Sequence, residues 1–292
     1  MRIALTGSTG LVGHALQRVL SGAGHEIVTV GRAAGCAVPF DVARDRELRK
    51  DALRGCQALV HAAGVTDGDF DDRDAAFAKA LHGAPALVRA AAQAGVGRIV
   101  YVSSAHVYGP LEGRIDESRA PDPRSDYAIA HFATEQVFRR SSIPCLIARP
   151  CAVYGSPPDL AGFARWSLIP FDFPRQAVAT GRIVLLSHGL QRRNFVPAEA
   201  VASLAGWWLE QPPRSLVANA PGPDEMTVLD FARLCARIAE EETGRPVAVE
   251  HPAGRPPGAP LEYRTRVGGH LPGPTLEEHV RGLVRALAKE QP

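Results

Sequence analysis

The chain has 292 residues, enough for one large domain or two that share a core. Apolar residues make up 46%, charged residues 22%, and the net charge is +2, so nothing points to nucleic acid or a membrane surface as partner. The five cysteines (Cys36, Cys56, Cys145, Cys151 and Cys235) form no CxxC pair and accompany no histidine cluster of metal spacing. They read as small buried apolar side chains in a reducing, cytoplasmic compartment, with no metal site. "MRIALTGSTGLVGHAL" is broken by Gly and Thr, so it reads as a strand and a turn rather than a signal peptide, and no apolar stretch is long enough to span a bilayer.

The first half alternates. "RIALTG" (2–7) is a short apolar run ending in Gly, which predicts a buried parallel strand. "LVGHALQRVLSGAG" then places Leu11, Val12, Ala15, Leu16, Val19 and Leu20 on one helical face, with Gly24 beyond its end. "HEIVTVGR" (25–32), "CQALVHAAG" (56–64), "RIVYVSS" (98–104) and "PCLIARP" (144–150) are further strands. An Ala-rich helix covers roughly 74–94, with Pro85 kinking or splitting it, and "DYAIAHFATEQVFRR" (126–140) is another helix. Strands alternating with helices predict a parallel sheet covered on both faces. After Tyr154 the pattern loosens. Residues 156–180 and 244–274 are rich in Pro and Gly, interrupted by helices over 197–211 and 227–243. This part reads as a smaller domain over one edge of the sheet.

"TGSTGLVG" (6–13) joins the first strand to the first helix, with Gly7, Gly10 and Gly13 spaced GxxGxxG. Gly7 permits a tight turn, Gly10 lets backbone approach a pyrophosphate, and Gly13 lets helix and strand pack closely. The helix start, with Leu11 and Val12, offers free N–H groups and a positive dipole end to phosphates. An NAD site wants a carboxylate at the end of the second strand for the ribose hydroxyls. Here the strand ends in Gly31 and Arg32. Arg32 suits a 2′-phosphate, which favours NADP, with NAD as the alternative.

At this point the chain resembles an extended short-chain dehydrogenase/reductase of the NAD-dependent epimerase/dehydratase type, whose members mostly act on nucleotide sugars. The resemblance is carried by "TGSTGLVG", "FDV" (40–42), "HAAG" (61–64), "YVSSAHVYG" (101–109), "YAIAH" (127–131), "ARPCAVYG" (148–155), "GLQRRNFVP" (189–197) and "GHLPGPTLEEHVRGLV" (269–284). It implies an α/β fold, a Rossmann-type doubly wound parallel sheet over 1–155. It also implies a smaller substrate-binding domain over 156–292, with segments near 183–211 returning to the Rossmann core. By the same resemblance Asp41 and Val42 hold the adenine, and Ala62, Ala63 and Gly64 line the cofactor groove. Ser104 bonds the reacting oxygen, Tyr127 is the catalytic tyrosine, and Arg193 binds the substrate diphosphate.

Hydride transfer to or from a sugar carbon needs a partner that moves the hydroxyl proton, and a phenol with a lowered pKa does this. In relatives a lysine four residues after the tyrosine supplies positive charge and binds the nicotinamide ribose. Here that place holds His131, beside Tyr127 on one helix face. A neutral imidazole can still bond a ribose hydroxyl but lowers no phenol pKa by charge. Ala80, three residues before Gly83, and Ala152 stand where relatives carry Asn, and Asn194 replaces an Asp. His106, two residues after Ser104, is a candidate acid/base at the neighbouring carbon. Ala105 and His106 stand where dehydratases of the family place Asp and Glu, which disfavours dehydration.

Two readings follow. One is an active NAD(P)-dependent epimerase or ketoreductase on a nucleotide sugar, epimerase first, working as a homodimer through the helices over 74–94 and 126–140. The other is a catalytically impaired dinucleotide-binding sensor or partner subunit. Trp207 and Trp208 read as core. His14, His25, His82, His188, His251, His270 and His279 have no partner that the sequence identifies.

Overall fold

In a computed structural model of the chain, residues 1–49, 51–253, 260–268 and 273–290 are described. His270 and the start of the 269–284 stretch lie outside them. The chain opens with β1 (Arg2–Thr6), α1 (Leu11–Gly22), β2 (Glu26–Gly31), β3 (Val38–Pro39) and β4 (Ala58–His61). Then come α2 (Arg73–Ala78), α3 (Ala84–Gln93), β5 (Arg98–Val102), β6 (Gly113–Ile115) and α4 (Asp126–Arg139). β7 (Cys145–Pro150), β8 (Ala152–Tyr154), α5 (Ile169–Thr180), β9 (Arg182–Val184), β10 (Arg192–Pro197) and α6 (Ala198–Glu210) follow. β11 (Leu216–Ala220), β12 (Asp224–Thr227), α7 (Val228–Thr243), β13 (Ala248–Glu250), β14 (Leu261–Tyr263) and α8 (Leu276–Lys289) end it.

Seven strands form one sheet in the order β11-β7-β5-β4-β1-β2-β3, and every neighbouring pair is parallel. The alternation predicted the parallel sheet, and the doubly wound, Rossmann-type arrangement is the one that the family resemblance implies. The strands β1, β4, β5 and β7 are buried along nearly their whole length, because helices cover both faces. On one face Leu16 and Leu20 of α1 meet the small side chains of α6, Ala198, Ala202 and Ala205. On the other, Leu87 and Ala91 of α3 pack with Phe138 of α4. The strand order reverses between β1 and β4, which opens a crevice at their carboxyl ends.

The helix expected over 74–94, kinked or split at Pro85, is two helices joined by a π turn over Lys79–Gly83, with Pro85 in the first turn of α3 just after it. A second element differs from the sequence expectation. The Pro-rich stretch 156–180 contains α5, with Pro170 in its first turn and Pro174 inside it. Pro174 cannot donate to the Pro170 carbonyl. That carbonyl is served instead by Nε2 of His279 on α8, at 3.1 Å. Burial lowers His279 to about 4, so the ring is neutral and its proton is available to donate. Among the described residues no helix is long and apolar enough to cross a membrane.

Candidate functional site

The glycine turn sits at the switch point. Gly7 has φ +77°, which an L side chain rarely adopts, and a Cβ there would stand 2.7 Å from the Ala62 carbonyl carbon. A Cβ at Gly13 would collide with the Gly7 carbonyl, so the helix can approach the strand only with Gly there. A Cβ at Gly10 would meet only the Gly7 oxygen, at 3.4 Å, and α1 starts there with no side-chain cap and no acid in its first turn. A helix start left uncapped in this way fits a phosphate. Leu11 opens the helix and is buried, with Val12 half-buried beside it. Ala62 and Ala63 are tied to Thr6, through its carbonyl and its hydroxyl, which brings the end of β4 against the turn.

Arg32 follows β2, exposed and without hydrogen bond or ion pair among the described residues. Asp41 accepts the Ala43 N–H at 2.9 Å, and the Val42 carbonyl lies where a Cβ on Gly83 would fall, which seats the π turn against this loop. Ala80 packs with Val65, Ala130 and Tyr127 in an apolar cluster, so no polar group stands at that place.

The structure brings Ser104, His106, Tyr127 and His131 together at the end of β5 and the start of α4. Ser104 caps a short helical turn by accepting the His106 N–H at 3.2 Å. Ser125 caps α4 by accepting the Ala128 N–H, which sets Tyr127 in its first turn. The Ser104 hydroxyl lies near enough to the Tyr127 phenol to favour its anion, without a fully formed hydrogen bond. Burial outweighs this and raises the phenol above its ordinary value. The His131 ring meets the Tyr127 ring edge-on at 4.5 Å, and His106 meets Tyr127 from another side at 5.9 Å. His131 is buried, and its desolvation lowers it to about 3, so it stands neutral beside the phenol at neutral pH. His106 is lowered too, by burial and then by the Arg193 guanidinium, although part of its ring reaches solvent.

A cavity of about 310 Å³ opens beside His106 and is lined by Leu111, Glu112, Gln191, Arg192 and Arg193. Arg193 stands on β10 with Nη1 on the Arg192 carbonyl at 2.9 Å. Asn194 behind it is fully buried and exchanges two hydrogen bonds with the Gly222 backbone, at 2.9 and 2.8 Å. An Asp could not donate one of them, which accounts for the amide here. Ala152 pairs with Phe195 on the neighbouring strand.

Sequence reasoning missed two supports. Tyr101 of β5 meets His131, its hydroxyl 2.6 Å from Nδ1. Arg149 and Glu135 form a buried bidentate pair at 2.9 and 2.6 Å, and Ser103 donates to the same carboxylate at 2.6 Å. The Arg149 guanidinium lies over the Tyr108 ring, 4.7 Å from its centroid. Glu135 falls four residues after His131 on the buried face of α4, which is the one trace of this pair in the sequence.

A glycine turn at the switch point of a doubly wound sheet, with a serine and a tyrosine converging at the carboxyl end of β5, defines a Rossmann-type α/β protein. Residues 3–219 match the NAD dependent epimerase/dehydratase family, and the chain belongs to it. It is 30% identical over 175 residues to a dTDP-D-glucose 4,6-dehydratase of Mus musculus, covering 55% of this chain and 45% of that one. It is 31% identical over 214 residues to a 2'-dehydrokanamycin reductase of Streptomyces kanamyceticus, covering 70% of this chain and 57% of the relative. The matches thus span about half the length of these relatives. The fold is similar, with a TM-score of 0.78 at 17% identity and 99% of each chain covered, to UDP-glucuronic acid 4-epimerase from Bacillus cereus in complex with UDP-glucuronic acid and NAD.

Proposed function

We propose that this protein is an NAD(P)-dependent oxidoreductase that reduces a carbonyl on the sugar of a nucleotide sugar. The observation that carries the reading is the Ser104–Tyr127 pair at the mouth of the glycine crevice, with a buried neutral His131 where a cation would otherwise activate the phenol. A neutral phenol is a general acid in its resting state, which suits reduction better than withdrawal of an alcohol proton. The kinship to a protein named as a reductase supports the same direction.

A nicotinamide dinucleotide supplies the hydride when bound. The uncapped start of α1 with Gly7, Gly10 and Gly13 receives its phosphates. Ala62, Ala63 and Gly64 line the groove, and Asp41 and Val42 flank the adenine. Arg32 faces the 2′-phosphate and makes NADPH the preferred form. Ser104 donates to the carbonyl oxygen, and Tyr127 gives it the phenolic proton as charge develops there. His106, edge-on to Tyr127 and open to solvent, returns that proton. Arg193 in the cavity takes the diphosphate, and the chain from about residue 156 onward supplies the substrate side. The π turn and α4 leave Leu81 54% and Ile129 42% exposed, and this face makes the homodimer.

The test is a panel of nucleotide-linked keto sugars and their alcohols with NADPH and NADH, read by absorbance and NMR. Net oxidation of NADPH with one keto sugar supports the reading. Interconversion of two sugars with no net oxidation identifies an epimerase, and dinucleotide binding without any turnover identifies a sensor. Tighter binding of NADH than NADPH in a fluorescence titration refutes the role given to Arg32. A monomeric mass by light scattering at micromolar concentration refutes the dimer.

A further inference from the structure

The groove strand β4 leads into a short helical turn over Asp67–Asp71. Thr66 and Asp69 close its start by a reciprocal cap, and Lys79 of the π turn holds the Asp69 carboxylate at 2.6 Å. Val65, just before the turn, and Phe70 within it pack in one apolar cluster with Tyr127. Beyond the turn, Arg73 pairs with Asp126, the residue before Tyr127, at 2.8 Å. The turn is therefore fixed against the start of α4, and Asp67 opens it.

Arg165 comes to this turn from the stretch between β8 and α5. Its guanidinium lies 3.9 Å from the Asp67 carboxylate, and 30% of the Arg165 side chain is exposed. Neither group makes a hydrogen bond among the described residues. Aromatic neighbours hold the backbone of Arg165 in place: Phe163 is buried, and Trp166 meets Phe163 and Phe171 edge-on at 5.3 and 6.5 Å. An anchored cation with unused N–H groups thus stands at the turn that packs on Tyr127. Burial is the main influence on the Tyr127 phenol and raises it. Of the charged groups, Asp67 raises it further and Arg165 lowers it. The other titratable groups around the phenol, His131, His106 and Tyr101, are neutral at neutral pH, all mainly through burial. None of them offsets the charge of a phenolate.

We propose that Arg165 is a positioning residue for proton transfer: held beside the first turn of α4 by Asp67, its guanidinium stabilises the phenolate that Tyr127 becomes when it gives up its proton. The hydride goes to the carbonyl carbon of the sugar and the phenolic proton to its oxygen. The electron pair of the broken O–H bond stays on Tyr127 until His106 returns a proton. The inference rests on the reductase reading above and deepens it, because the positive charge comes from the second half of the chain and not from α4.

The experiment uses the full chain labelled with carbon-13 at the tyrosine ring carbon that bears oxygen, and Tyr127→Phe identifies the Tyr127 signal by its loss. In Arg165→Gln that signal titrates about one pH unit above its wild-type value, and in Arg165→Lys it returns most of the way. With NADPH and the keto sugar that the panel selects, Arg165→Gln lowers kcat about tenfold and leaves KM and the melting temperature unchanged, and Arg165→Lys recovers the turnover. A titration or a kcat that is the same in the wild-type protein and Arg165→Gln overturns the inference alone. A loss confined to KM does so as well, since it makes Arg165 a substrate contact. A kcat no better in Arg165→Lys than in Arg165→Gln also overturns it, because the charge is then not what acts. If the phenol titrates only where the chain unfolds, kcat and its rescue decide. Absence of turnover with every keto sugar overturns the functional reading and this inference with it.

Discussion

The Tyr127 phenol lies against a neutral imidazole, and the chemistry of the site turns on that neighbour. Putting a cation there is not a repair. His131→Lys places an ammonium at a position 3% exposed and removes the ring nitrogen that bonds the Tyr101 hydroxyl. A buried charge without a carboxylate partner is expensive, of the order of 3 kcal/mol or more. We expect turnover to fall at least tenfold and the melting temperature to drop by several degrees, measured by assay and calorimetry on the same preparation. A rise in turnover would mean that the histidine is only a degraded lysine. Ser104 and Tyr127 were singled out in the sequence through the family resemblance, carried by "YVSSAHVYG" and "YAIAH". Tyr101 was not, because its partner stands 30 residues away and only the stacking of α4 on the sheet joins them. The Glu135–Arg149 pair was hidden for the same reason, since a carboxylate on a helix reads as a solvent contact until the face is known to be buried.

The glycine turn is the element whose geometry leaves least freedom. The register sets Thr6 against His61 and His61 against Tyr101, so the glycine turn, the crevice and the carboxyl end of β5 share one row across the sheet. Gly13→Ala would force α1 away from the Gly7 carbonyl. Its expected effect is a loss of dinucleotide binding by at least tenfold with a destabilisation of about 1–3 kcal/mol, read by fluorescence titration and by a urea melt. Unchanged binding would show that the turn holds no phosphate. The alternation of the first half was readable because buried parallel strands are continuous apolar runs. α5 was not readable, because its prolines argue for a loop. Only the contact of His279 with the freed Pro170 carbonyl, supplied by a helix more than a hundred residues later, makes a helix tolerable there.

Across the whole molecule, neutral buried histidines tie stability to pH. His61 and His131 are lowered to about 3 and His279 to about 4, all mainly by burial. Their folded values lie below the unfolded value near 6.5, so below that pH the unfolded chain binds more protons than the folded one. Stability is therefore fully present above about pH 6.5 and is lost as pH falls toward 4, by up to about 1.4 kcal/mol per pH unit for each ring. Urea midpoints at about pH 7.5 and pH 5 check this, and a flat profile would contradict the burial of these rings. A parallel sheet covered on both faces followed from sequence alternation, but its edge strands β3 and β11 did not, and neither did the cavity beside Arg193, because it is assembled from chain segments far apart. The most direct measurement compares the wild-type protein with Tyr127→Phe, on the nucleotide-linked keto sugar that the panel selects, by NADPH oxidation and by dinucleotide affinity. A phenol that gives the proton predicts a fall in turnover of about 10²- to 10⁴-fold at an unchanged dissociation constant. Equal turnover in the two proteins would contradict it.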